Sequence, residues 1–330
     1  MRAFLCQCGN RIFFHDVRCL QCDATVGRCD SCHQVCSLTQ NDDQTFQCGN
    51  SACGSKLQRC TNCVNHGVCN GTVAAGDSGF CEYCRLNQVV PNLSQPENKE
   101  AWRLLEFAKH RVLFIVQTIG FPLNWQQPPL QFAFLSGTPN NTVTMGHSDG
   151  LITIALRETD AVQREKSRIE FDEPQRTLVR HFRHELGHYY WDVLVKPQRL
   201  SEFRTIFGDE SAVNYEAAKE KYYGKGPAAN WRTNWVSQYA SMHPWEDFAE
   251  TFNAYLDMVA VLDTARSFSV ADTGGDFDSM IKNYCEIGIL ANEWNRDRGL
   301  IDLVPEIFSP VITNKLRFIF DLAHAQSSPA

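Results

Sequence analysis

His181-Phe182-Arg183-His184-Glu185-Leu186-Gly187-His188-Tyr189-Tyr190-Trp191-Asp192 decides how this 330-residue chain is read. Residues four apart on a helix share a face, with Cβ atoms about 5–6 Å from each other. His184 and His188 have that spacing, so both imidazoles can reach one zinc ion at about 2 Å. Glu185 does not share the metal comfortably. It is placed to accept a proton from a metal-held water, as the general base of a zinc hydrolase does. The competing reading is a chance match on a surface helix, so the motif's weight rests on its context.

Working outward, the sequence predicts a helix over 172–195. Asp172 caps it, Glu173 suits its first turn, and Pro174 is tolerated there. Leu178, Phe182, Leu186, Tyr190 and Val193 recur at helical intervals as an apolar stripe, while His181, His184 and His188 follow another. Lys196-Pro197 marks the expected end.

Two imidazoles leave a zinc short of a protein ligand. Trp191 and Leu194 stand where a third His on a following turn would be. Asp192 is roughly 12 Å along the helix from His184 at about 1.5 Å per residue, which suits a supporting role better than ligation. A stronger candidate lies in His243-Pro244-Trp245-Glu246-Asp247-Phe248-Ala249-Glu250-Thr251, where Pro244 opens a helix and Glu246, Glu250, Asn253 and Asp257 recur on one polar face. Glu246 is expected as ligand and Glu250 as the carboxylate that orients a zinc-bound His. The roles of these two acids can also be exchanged, or both can simply complement the helix dipole. Tyr239 and His243 are candidates to stabilise an oxyanion, and each is equally readable as a packing residue.

Upstream, fourteen of the fifteen cysteines fall between Cys6 and Cys84. Such pair spacing without a secretory signal favours metal over disulfides. Cys6, Cys8, Cys19 and Cys22 read as a zinc ribbon with Ile12-Phe13-Phe14 as an intervening strand. Cys29, Cys32, Cys48 and Cys53 can form another site, and a further one draws four ligands from Cys60, Cys63, Cys69, Cys81 and Cys84, with Cys60, Cys69, Cys81 and Cys84 the assigned set. The partition between Cys29 and Cys69 stays open, since His33 and His66 can each replace a thiolate. Closed four-thiolate sites leave no open position, so structural zinc is expected. The expected inventory is Zn2+, one catalytic ion and two or three structural ones.

Residues 1–90 carry seven Lys plus Arg against seven Asp plus Glu, and the whole chain has a net charge of −7. That balance argues against nucleic acid as a partner and leaves the ribbons to scaffolding or protein docking. Met1–Leu5 runs into Cys6 without an apolar signal region. The apolar stretch from Val112 to Val116 is far below the roughly 18 residues of a membrane span. A cytoplasmic protein with no membrane partner is therefore expected.

Val89-Val90-Pro91-Asn92-Leu93-Ser94-Gln95-Pro96 is a polar linker with two prolines. It divides the chain into a cysteine-rich zinc-ribbon domain, 1–91, and a second domain, 92–330. Beyond it come a helix over 97–117 and three short strands over 132–135, 142–145 and 151–156, read as a small antiparallel sheet. Its last strand packs beneath the metal helix or offers an edge to an extended peptide. The fold class is α+β, with the ribbons followed by a mostly helical zincin-like domain.

These segments resemble a bacterial family of zinc-binding metallopeptidases that join an N-terminal zinc ribbon to an H-E-x-x-H domain. The likeness is carried by Cys19-Leu20-Gln21-Cys22, by 81–87, by 181–192, by 243–251 and by Leu316-Arg317-Phe318-Ile319. It implies a peptidase of the two-His-one-Glu, gluzincin-like kind acting on a peptide or protein substrate. The surplus cysteines at 29–63 depart from the family pattern. The rival reading is a protein-binding or regulatory module with little turnover, against which the presence of Glu185 weighs.

Overall fold

The computed structural model describes every residue except 1, 78, 126, 138–142, 144, 172, 174, 272–274 and 328–330. By contacts the chain forms two compact units, one of 1–114, 130–146 and 151–170, the other of 115–129, 147–150 and 171–330. The units therefore interleave along the chain, and a single cut at residue 92 would divide the first of them. Among the described residues, no helix is long and apolar enough to cross a membrane.

The first unit begins with two small antiparallel sheets. Phe4–Leu5 pairs with Arg11–Ile12, and a five-stranded meander follows over Val26–Arg28, Val35–Gln40, Phe46–Cys48, Lys56–Arg59 and Thr72–Ala74. These strands are too short to bury much surface, and the interior they enclose is largely sulfur. Cys29, Cys36 and Cys48 pack with Leu38 and Leu57, while Cys60, Cys63, Cys69, Cys81 and Cys84 pack with Val73. Gly71 is obligatory here, because a Cβ at that position would sit 2.5 Å from the Cys81 sulfur.

The same unit holds a mixed layer of strand and helix. Gln131–Leu135 lies between Asn87–Val89 and Leu151–Ala155, and both pairings are parallel. Where antiparallel neighbours were expected for these strands, both pairings of Gln131–Leu135 are thus parallel, while the ribbon sheets are antiparallel. The connection from 135 to 151 is long enough to cross over, which a parallel neighbour requires and a tight hairpin does not permit. The strand expected over 142–145 falls partly outside the described residues. The helix Pro96–Thr118 packs Trp102, Leu105, Val112 and Leu113 inward and also carries a fully buried charge pair, with Lys109 Nζ 2.8 Å from Glu106 Oε2. Trp102 Nε1 and Asn87 Nδ2 donate to Glu106 Oε1 at 3.0 and 2.6 Å.

The second unit is helical. The metal helix runs Leu178–Tyr190, capped by Thr177, whose hydroxyl accepts from the Arg180 amide. Its start is therefore later than the one expected at Asp172, and Asp172 and Pro174 lie outside the described residues. It also does not stop at Pro197. The backbone widens into a π turn over Trp191–Val195 and continues through Lys196–Gln198. A second long helix, Pro244–Ser267, crosses it at close range. At the crossing, a Cβ on Gly187 would sit 2.8 Å from the Ala249 Cα, so the glycine inside the motif sets how near the helices come. Phe182, Leu186, Phe248, Phe252 and Leu256 bury around this contact, and Phe207 and Phe318 close the core by stacking edgewise on Phe248 and on each other.

Candidate metal centre

The Gly187–Ala249 contact places two polar faces opposite each other. From the metal helix, His184 Nε2 and His188 Nε2 stand 3.1 Å apart. From the second helix, Glu246 Oε2 lies 3.1 Å from His184 Nε2 and 3.4 Å from His188 Nε2. Ligands held tetrahedrally at about 2.0–2.1 Å stand roughly 3.3 Å apart, so the triangle has the dimensions of one zinc site. Its chemistry agrees. Glu246 is 2% exposed and its Oε2 makes no hydrogen bond, a costly state for a buried carboxylate oxygen unless a cation occupies the triangle.

Each member is held from behind. His184 Nδ1 is 2.8 Å from Glu250 Oε1, the position of a carboxylate that fixes a ligand imidazole's tautomer. Glu250 Oε2 accepts from Ser237 Oγ at 2.6 Å and from the Arg180 guanidinium. Glu246 Oε1 accepts from the Tyr215 hydroxyl at 2.7 Å, which turns the other oxygen toward the imidazoles. The His188 ring stacks on Trp245 with centroids 3.6 Å apart. Glu185 is 8% exposed, and its Oε2 has no hydrogen-bond partner among the described residues.

Other sequence candidates go elsewhere. His243 caps the second helix, its Nδ1 accepting from the Trp245 amide at 3.1 Å and its Nε2 lying 3.2 Å from the Val213 carbonyl. With both nitrogens engaged, it has no hydrogen to offer an oxyanion. Tyr239 does reach the centre, its ring 6.0 Å from that of His184. Burial, together with the nearby Glu246 carboxylate, pushes its phenol far above the usual tyrosine range. Asp192 stays outside the triangle and faces His147, 3.7 Å away. Sequence reasoning missed Tyr215, Ser237, Trp245 and Arg180. Of these only Arg180 had a signal, one turn before His184 on the same helical face.

The cysteines gather into three groups of four: Cys6, Cys8, Cys19 and Cys22; Cys29, Cys32, Cys48 and Cys53; Cys60, Cys69, Cys81 and Cys84. Sulfur separations of 3.6 and 3.7 Å in the first group, and 3.8 and 3.9 Å in the second, fit thiolates about 2.3 Å from a shared tetrahedral zinc. Of the fourteen cysteines up to Cys84, two are left over beside these groups. Cys36 Sγ lies 3.4 Å from Cys48 Sγ, and Cys63 Sγ accepts from Arg59 Nη2 at 3.0 Å.

Residues 98–322 match the family described as "Putative zinc-binding metallo-peptidase", and residues 3–95 match a zinc-ribbon domain. Uncharacterised proteins of Mycobacterium bovis and of two strains of Mycobacterium tuberculosis are each 34% identical over 337 residues, covering 97% of this chain and 94% of each relative. No solved structure matches the chain.

Proposed function

Because the chain belongs to this zinc-binding metallo-peptidase family, we propose that it is a zinc-dependent peptidase with His184, His188 and Glu246 as metal ligands. The observation that carries the reading is the triangle of buried acceptors around an unbonded Glu246 oxygen. Zinc in that triangle supplies Lewis-acid polarisation and makes water acidic enough to act near neutral pH. Glu185 takes a proton from the attacking water and returns it to the leaving amine, and its partnerless buried oxygen supports that role. Glu250 holds His184 in the tautomer whose Nε2 lone pair faces the metal. Tyr239, kept protonated by its surroundings, donates to the oxyanion of a peptide carbonyl. The three cysteine groups hold structural zinc.

The test is Glu185→Gln in the full-length protein. Peptide hydrolysis falls by at least about a hundredfold, while zinc content and helical circular dichroism match wild type. Near-wild-type turnover would remove Glu185 as the base, and joint loss of zinc and activity would make it a ligand instead.

A further inference from the structure

Beside the residues that support His184 the second unit contains an open cavity of about 700 Å3, and Arg180, Ser237 and Glu250 belong to both. Its lining includes three arginines, Arg180, Arg183 and Arg232, four acids, Glu250, Asp257, Asp302 and Glu306, and the aromatic rings of Trp231, Tyr284 and Phe308. Charge pairing across the cavity is unequal. Every acid on its wall is already satisfied. Glu250 takes Ser237 and Arg180. Asp257 takes Arg183 at 2.6 Å and the Tyr284 hydroxyl at 3.0 Å. Asp302 and Glu306 both bind Arg296, at 2.7 and 2.8 Å.

Among the described residues the guanidinium groups are not saturated in return. Arg180 and Arg183 each use one terminal nitrogen on their carboxylate, and Arg232 lies over the Trp231 ring at 4.8 Å. Guanidinium carries five donors in a fixed fork, so several remain for a ligand. Thr177 and Val179 also line this cavity, so the positive end of the metal helix adds to the same field. A cavity of this size with an apolar body and a few convergent donors has the form of a small-ligand site.

We propose that this cavity receives the C-terminal carboxylate of a peptide whose last side chain is apolar or aromatic. The carboxylate meets the spare donors of Arg180 and Arg183, with Arg232 at the rim, and the side chain lies against Trp231, Tyr284 and Phe308. Planar forks favour a carboxylate, and an apolar wall excludes a bare inorganic anion as the preferred occupant. Arg180 precedes His184 by one helical turn, about 6 Å along the axis, so a peptide ending here keeps its last residues close to the metal centre. This consequence rests on the peptidase reading, whereas the binding itself does not.

Isothermal titration calorimetry on full-length, zinc-loaded Glu185→Gln protein measures binding without turnover. Three probes are compared: acetyl-alanyl-phenylalanine, its C-terminal amide, and 3-phenylpropionate. The peptide acid binds at least roughly tenfold tighter than either other probe, because the amide loses the charge-assisted bonds and the organic acid lacks the peptide body. Arg232→Ala weakens the peptide acid by about tenfold and leaves zinc content unchanged; Arg232→Lys recovers part of the loss. Equal affinity for acid and amide, equal affinity for 3-phenylpropionate, or indifference to Arg232→Ala would each overturn the proposal. Hydrolysis by the wild-type protein is scored separately. Acid-selective binding without any hydrolysis supports the cavity assignment and removes only the peptidase reading.

Discussion

Tyr215 determines which oxygen of Glu246 faces the imidazoles, though it touches neither of them. Its hydroxyl occupies Oε1, and removing that bond frees the carboxylate to rotate. Tyr215→Phe keeps the ring and deletes only the donor, so zinc affinity should fall by roughly tenfold or more, in the range typical for partners that support metal ligands. Competition with a chromogenic chelator measures this, and unchanged affinity would mean that packing alone fixes Glu246. Glu106 gives a test in the other unit. Burial pushes its carboxyl up, but Lys109 and His110 outweigh that and hold it down to about 2. A carboxyl depressed on folding contributes stability that is complete above its unfolded pKa, about 4.3, and is lost as pH falls toward 2. Glu106→Gln should therefore remove part of the acid sensitivity below about pH 4.5. At neutral pH it should also cost about 3 kcal/mol, because Lys109 stays buried without its counter-charge. Melting curves across that pH range read both effects.

At the scale of elements, the crossing of the two long helices governs the centre. Gly187→Ala places a methyl against the Ala249 backbone and should separate the helices by a few tenths of an ångström. Overpacking of this kind costs about 1–3 kcal/mol, and zinc affinity should drop with it although no ligand changes. Normal zinc affinity in a destabilised Gly187→Ala protein would mean that the crossing is not what sets the triangle. The legible parts of this arrangement were local ones. The four-residue spacing of His184 and His188 and the proline-initiated acidic helix at Pro244 can be read because helical neighbours are sequence neighbours. Tyr215 could not be read, since it reaches the site from a separate helix, Tyr215–Lys225, with no buried residue and no periodic signal. Parallel pairing of Gln131–Leu135 escaped for a related reason: strand partners are chosen by the path of the connection, not by the pattern within each strand. Cysteine spacing narrowed the thiolate groups, but only folding leaves Cys36 and Cys63 outside them.

Across the whole molecule, stability is divided between two kinds of interior. The cysteine-rich segments have short strands around sulfur, whereas the helical unit has an aromatic core built on Phe182, Phe248 and Phe252. Exhaustive chelation at neutral pH should abolish the ribbon structure, because small metal domains fold on their metal. Most of the helical circular dichroism should remain. Hydrogen exchange resolved by peptide would place the loss in 3–84 and the protection in 178–190 and 244–267. Uniform loss across both regions would mean that the helical core also depends on metal.

His184 and Glu250 stand 66 positions apart in sequence, and this separation matters during synthesis. A ribosome that has released the metal helix has exposed two imidazoles and the Glu185 carboxylate with nothing to complete or orient them. Until the helix beginning at Pro244 has emerged and docked at Gly187, any ion held there is held weakly. Ribbon sites close within a few dozen residues and can load early. Metal should therefore enter the nascent chain from its beginning toward its end. Arrested chains that stop short of Pro244 should carry ribbon zinc alone.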